Sequence, residues 1–175
     1  GDIRDAVTQY KYTPNGHLEK IFDDAGNFTH YIYDSQDRLK YIYYPDAVGS
    51  IQFTYNKNDQ LKTYSDLNGS LVTNTYDAAG RLITREILPV EDVGGTISES
   101  FGYDDMGRLS SAENECALVT FDYNTAGRLY REIQELKDSE GNVAATYVVG
   151  YEYDDNGNLT EKQSAEEQKE KWRKL

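Results

Sequence analysis

The chain has 175 residues, with 18 Lys and Arg against 31 Asp and Glu, a net charge of −13. That length suits one domain or one segment of a larger one. The acid excess excludes partners that need a basic stripe, nucleic acid and anionic lipid above all. Of the aromatics, 16 are Tyr, a content that excludes a disordered chain. No apolar run approaches the roughly 20 residues a membrane helix needs, and the first residues do not read as a signal peptide.

One seven-residue pattern recurs along the chain. In order it reads Tyr12-Thr-Pro-Asn-Gly-His-Leu18, Phe22-Asp-Asp-Ala-Gly-Asn-Phe28, Tyr33-Asp-Ser-Gln-Asp-Arg-Leu39 and Tyr55-Asn-Lys-Asn-Asp-Gln-Leu61. Ser65-Asp-Leu-Asn-Gly-Ser-Leu71, Tyr76-Asp-Ala-Ala-Gly-Arg-Leu82 and Tyr103-Asp-Asp-Met-Gly-Arg-Leu109 follow. The last three are Tyr123-Asn-Thr-Ala-Gly-Arg-Leu129, Lys137-Asp-Ser-Glu-Gly-Asn-Val143 and Tyr153-Asp-Asp-Asn-Gly-Asn-Leu159. Repetition on this scale outranks every local signal in the chain.

Each copy predicts a β-hairpin. Asp or Asn at the second position starts a turn by accepting its own backbone N–H two residues on. Gly at the fifth supplies the positive φ of a type I turn with a G1 bulge. Gly16, Gly26, Gly80, Gly107, Gly127 and Gly157 are therefore the structural turn residues, and Asp37 and Asp59 stand in for Gly as residues that tolerate this region. Three loop residues then set Tyr76 opposite Leu82. Steps of 10–11 residues, or twice that, make an antiparallel meander. Longer loops are expected at Pro45–Gly49 and Pro89–Gly95.

Alternation of side chains along a strand groups Tyr31 with Tyr33, and across the turn with Leu39, Tyr41 and Tyr43. One face is expected to be aromatic and the other charged. The fold class is thus all-β, a twisted and curled antiparallel strip over residues 1–163. A short C-terminal helix is expected over 164–175, opened by the capping box Ser164-Ala-Glu-Glu167. Its Trp172 is expected to cover the last sheet edge.

The motif Tyr-Asp-x-x-Gly-Arg-Leu resembles the YD repeat of the Rhs family, which includes bacterial polymorphic toxins, the B/C components of insecticidal toxin complexes, and teneurins. The resemblance spans about residues 10–162. It implies a β-strip that spirals into a hollow shell, enclosing a toxic domain in the toxins and supporting adhesion in teneurins. Some relatives have been linked to carbohydrate binding. The self-cleaving Asp-Pro-x-x-Gly core of such proteins does not occur here, so the resemblance implies a shell segment without that core. It also implies a secreted or cell-surface protein.

Catalysis finds no support in the residues. His17 replaces Arg in a turn, His30 lies in a predicted strand, and neither has a Ser or Cys partner at a recognisable spacing. Cys116 reads as a small half-buried hydrophobe. The paired acids Asp23-Asp24, Asp104-Asp105 and Asp154-Asp155 lack the calcium-loop pattern. No metal, no cofactor and no enzyme activity are expected. The sequons at Asn27, Asn68 and Asn158 overlap the turn consensus. The expected function is a non-catalytic scaffold whose partners are neighbouring repeats or a second copy joined by sheet edges. The alternative is a glycan-binding or adhesion surface with Tyr31, Tyr33, Tyr41 and Tyr43 stacking on sugar rings.

Overall fold

The computed structural model describes residues 7–90 and 97–164. Every regular element in that range is a β-strand, and each strand neighbours the one before it in sequence. The strands paired among the described residues run antiparallel, as expected when short loops join successive strands. The helix expected over 164–175 falls, from residue 165 onward, outside the described residues. Ser164 itself closes the last strand.

The chain divides into two units, and the strand after Tyr76 is shared between them. The first unit holds β1 (Gln9–Tyr12), β2 (Leu18–Phe22), β3 (Phe28–Tyr33), β4 (Leu39–Tyr43), β5 (Ile51–Tyr55), β6 (Leu61–Ser65) and β7 (Leu71–Tyr76). β8 (Leu82–Leu88) gives residues 86–88 to the first unit and 82–85 to the second. The second unit continues with β9 (Ser98–Tyr103), β10 (Leu109–Glu113), β11 (Ala117–Tyr123), β12 (Leu129–Lys137), β13 (Val143–Tyr153) and β14 (Leu159–Ser164).

The hairpin register follows the motif. Its first and seventh residues pair, as in Tyr33 with Leu39, Tyr55 with Leu61 and Tyr123 with Leu129. One further irregularity was invisible in the sequence. The residue after Leu is left out of the ladder, so that Ile32 pairs with Tyr41 and Lys40 has no partner opposite. The same skip passes over Lys62, Ser110 and Tyr130. The hairpins led by Phe22 and Ser65 run without it.

This bulge overturns the expected grouping of tyrosines. An extra residue flips everything beyond it to the other side of the sheet. Tyr31 therefore pairs with Ile42, while Tyr41 and Tyr43 share the opposite face with Ile32 and His30. The division into one aromatic and one charged face fails for the same reason. In the first unit, Phe22, Phe28, His30, Tyr41 and Tyr43 line the second face. In the second unit, Glu132 pairs with Phe121, and Lys162 with Tyr151, on what would have been the aromatic face.

Neither unit closes a core over its own faces. Among the described residues only Val72, in the first unit, and Gln163, in the second, are buried. Most tyrosines are half-buried. Cross-strand pairs, at roughly 0.2–1 kcal/mol each, are thus the main packing unit.

Candidate functional site

The tyrosine-led turns all join an odd-numbered strand to the even-numbered one that follows: β1 to β2, β3 to β4, and so on through β13 to β14. The turns led by Phe22, Ser65 and Lys137 join even to odd. Because successive strands run in opposite directions, each unit carries its tyrosine-led turns along one end of its strands. The working repeat is therefore a pair of strands.

The turn led by Tyr33 shows the local construction. The Asp37 N–H donates to the Asp34 carbonyl at 3.1 Å and the Asp34 N–H to the Arg38 carbonyl at 2.8 Å. Asp34 Oδ1 accepts the N–H groups of Gln36 at 2.9 Å and Arg38 at 3.0 Å. One carboxylate thus holds both halves of the turn. Its other oxygen binds Arg38, 2.6 Å from Nη2. That guanidinium, with help from the turn's backbone N–H groups, holds the Asp34 carboxyl below the usual Asp value. Asn27 and Asn158 do the same for Asp23 and Asp154. The six turn glycines Gly16, Gly26, Gly80, Gly107, Gly127 and Gly157 have φ between 79° and 90°, and Asp37 and Asp59 have φ of 60° and 62°.

A hydroxyl ladder links successive turns. The motif tyrosine donates to the carbonyl of the leucine that ended the previous tyrosine-led turn. Tyr33 reaches Leu18 at 2.8 Å, Tyr55 reaches Leu39 at 2.7 Å and Tyr76 reaches Leu61 at 2.7 Å. In the second unit Tyr103 reaches Leu82 at 2.9 Å, Tyr123 reaches Leu109 at 2.8 Å and Tyr153 reaches Leu129 at 2.8 Å. Phenylalanine could pack at this position but could not donate. Desolvation raises the hydroxyl pKa of Tyr33 and Tyr55, which keeps them protonated as donors.

A second ladder runs through the sixth motif residue, which lies over the next tyrosine-led turn. The guanidiniums of Arg38, Arg81 and Arg108 sit 4.6, 4.6 and 4.3 Å from the ring centres of Tyr55, Tyr103 and Tyr123. Arg128 sits 5.7 Å from Tyr153 and donates to the Asp154 carbonyl at 3.4 Å. A Cβ added at Gly157 would come 2.5 Å from Arg128 Nη2. Where the fifth residue is Asp, it receives the sixth-position side chain of the preceding tyrosine-led turn. Arg38 Nη1 lies 2.6 Å from Asp59, and His17 Nε2 lies 3.7 Å from Asp37. The His17 ring also packs against Tyr33, tilted by 32° with ring centres 5.0 Å apart. Gln60 fills the role without charge, donating to the Gly80 carbonyl at 2.6 Å.

The four tyrosines singled out for sugar stacking do not form one group. Tyr31 and Tyr33 stay on the first face. On the second face, ring contacts of 5.4, 6.4, 6.3 and 5.9 Å connect Phe22, Phe28, His30, Tyr43 and Tyr41 in that order. Lys20 Nζ lies 4.1 Å from the Phe28 ring centre and Lys40 Nζ 5.4 Å from that of Tyr41. Burial, and then Lys20, lower the His30 pKa. Cys116 is exposed, contrary to the half-buried expectation. Asn114 Oδ1 accepts the N–H groups of Cys116 and Ala117, which sets Cys116 at the tip of a tight turn.

Sequence reasoning missed both ladders because their partners lie 14–26 residues apart. Two signals pointed to them: Tyr rather than Phe in nearly every aromatic-led copy, and Asp at the fifth position only where the preceding tyrosine-led copy has His or Arg at the sixth.

Comparison with known proteins agrees with this geometry. The teneurin YD-shell family model matches residues 3–145. The tRNA3(Ser)-specific nuclease WapA of Bacillus spizizenii is 29% identical over 126 residues, which cover 70% of this chain and 5% of the nuclease. The Tc holotoxin pore of Photorhabdus luminescens superposes with a TM-score of 0.72 at 20% identity, and the TcdB2–TccC3–Cdc42 structure with 0.74 at 20%. Each superposition covers 90% of this chain and 9% of the other. The chain thus spans a small part of each of these longer proteins.

Proposed function

This chain belongs to the teneurin YD-shell family, and from that premise we propose that it is a non-catalytic wall segment of a curled shell in a secreted or surface-exposed bacterial protein. In this reading the shell encloses a toxic domain, and the segment's partners are the repeats before and after it in a longer chain. The observation that carries the reading is the pair of ladders. They join each turn to the next, and β1 and β14 are the outer strands of their units. The chemistry of these turns supports a structural role: Asp34 and Asp154 hold their own turns, while the motif tyrosine hydroxyls and Arg38, Arg81, Arg108 and Arg128 reach a neighbouring one. Electron microscopy of the parent-length protein tests this. The segment should form part of a continuous β-wall, with strands beside both β1 and β14. Outer strands left bare to solvent in that protein would overturn the reading.

A second use of the same sheet, as a carbohydrate-binding or adhesion surface, is favoured by one observation. The connected rings from Phe22 to Tyr41 lie on a sheet face that no second layer covers among the described residues.

A further inference from the structure

Each joint between tyrosine-led turns has two halves, a donating tyrosine and an accepting leucine, and the chain carries one of each exposed. The tyrosines that donate, from Tyr33 to Tyr153, are half-buried, and so are the leucines that accept, from Leu18 to Leu129. Tyr12 opens the series and is 57% exposed, with no acceptor for its hydroxyl among the described residues. Leu159 closes it and is 54% exposed. The turn glycines divide in the same way. A Cβ at Gly80, Gly107, Gly127 or Gly157 would meet the sixth-position side chain of the preceding tyrosine-led turn, at 2.5–3.5 Å. At Gly16 it would meet nothing within 4 Å.

The register of the joint is constant. In each of the five even-to-odd strand pairs with a defined register, the residue two after the leucine faces the residue three before the next motif tyrosine. Lys20 thus faces His30, Tyr41 faces Gln52, Thr63 faces Thr73, Ser111 faces Thr120 and Arg131 faces Gly150. Applied to β14 and β1, the rule sets Glu161 opposite Gln9. Charge agrees with that match. Asp holds the fifth position only where the preceding sixth residue is His or Arg, and here uncharged Asn158 would precede Gly16. An open strand edge is itself a template for pairing.

We propose that copies of this chain join head to tail, the β14 edge of one pairing antiparallel with the β1 edge of the next, so that Tyr12 donates to its neighbour's Leu159 carbonyl. The two edges differ, so the contact is heterologous and each dimer keeps one open edge of each kind for further copies. The inference rests on the shell reading: the joint made there within one chain is made here between two. Strands of a longer parent compete for the same edges.

Sedimentation velocity over a concentration series tests the association, and disulfide trapping tests the register. The chain should form dimers and larger species whose share grows with concentration. Tyr12→Phe removes a hydroxyl that the single chain does not use. It should raise the dissociation constant about fivefold, the scale of one hydrogen bond, while Tyr44→Phe should leave it in place. In a Cys116→Ala background, oxidised mixtures of Gln9→Cys and Glu161→Cys chains should give a crosslinked heterodimer, because directly opposed strand residues come within disulfide reach. Gln9→Cys with Ser164→Cys, three residues out of register, should not crosslink. Circular dichroism checks that each variant folds. Crosslinking of Gln9→Cys chains to one another in equal yield would overturn the proposal in favour of a symmetric β1 contact. A chain that stays monomeric at millimolar concentration would overturn it too, and would leave the shell reading to be decided by micrographs of the parent-length protein.

Discussion

The hydroxyl of Tyr103 donates to the carbonyl of Leu82 at 2.9 Å, across 21 residues of chain. Leu82 is the last residue of one tyrosine-led turn and Tyr103 the first of the next. A backbone acceptor at the start of β8 is thus satisfied by a side chain from β9. Arg81, the residue before Leu82, lies over the Tyr103 ring. One tyrosine therefore receives two contacts from the preceding turn, one at its ring and one at its oxygen.

Tyr103→Phe keeps the ring and removes the donor. It should lower unfolding stability by about 1 kcal/mol, the usual value of such a bond. A shift in the urea midpoint at constant slope would show this. Tyr44→Phe, at a 40% exposed position, serves as the control and should leave the midpoint in place. Equal effects from the two variants would argue against the hydroxyl ladder.

Arg108 is held twice, 2.7 Å from Asp104 and 4.3 Å from the Tyr123 ring centre. Its side chain is 32% exposed, so solvent weakens the ion pair. Arg108→Ala should cost about 1 kcal/mol in all. Arg108→Lys should recover less than half of that, because an ammonium cannot both stack flat and pair in a fork. Full recovery by Lys, measured by thermal or urea unfolding, would mean that charge alone matters here.

Gly107 has φ of 81°, and a Cβ there would sit 3.5 Å from Arg81 Nη1. Space is available, so conformation sets the cost. Gly107→Val should destabilise by about 1–2 kcal/mol, the penalty of the left-handed region for a branched residue. Gly157→Ala meets a second obstacle in the Arg128 guanidinium. That change should cost more than Gly107→Ala, and the difference should shrink when Arg128 is also Ala. A double-mutant cycle measures the coupling.

Acid should loosen the turns. The Asp34 carboxyl lies below its ordinary value of 3.8 because Arg38 binds it, and Asp23 and Asp154 are lowered by Asn27 and Asn158. Each binds its proton less readily folded than unfolded, so falling pH favours the unfolded chain. The stability these groups contribute is complete above pH 3.8 and is lost as pH drops through and below it. Urea midpoints across that range should fall, and Asp34→Asn should flatten the slope. A wild-type midpoint independent of pH there would contradict the assignment.

Much of this was legible from residue types alone. Asp34 and Asp37 announce a turn and its left-handed residue because both effects act within a few residues. The pairing of Tyr33 with Leu39 follows from counting loop residues. The grouping of Tyr33 with Tyr41 and Tyr43 failed at one residue, Lys40, which the strand skips. No residue type marks that skip, since Lys40, Lys62, Ser110 and Tyr130 all occupy it.

The sequence by itself determined that the chain is an antiparallel meander, where it turns, and which backbone conformation each turn adopts. Those are short-range properties, set by side chains that bond their own backbone and by glycine's freedom at positive φ. Only the tertiary structure decided which strand ends gather the tyrosine-led turns, which face each ring occupies, and why the ring is Tyr. Those depend on register and on contacts between residues 14–26 apart in adjacent turns. A one-residue bulge exchanges the faces of a strand without leaving a consistent mark on its composition.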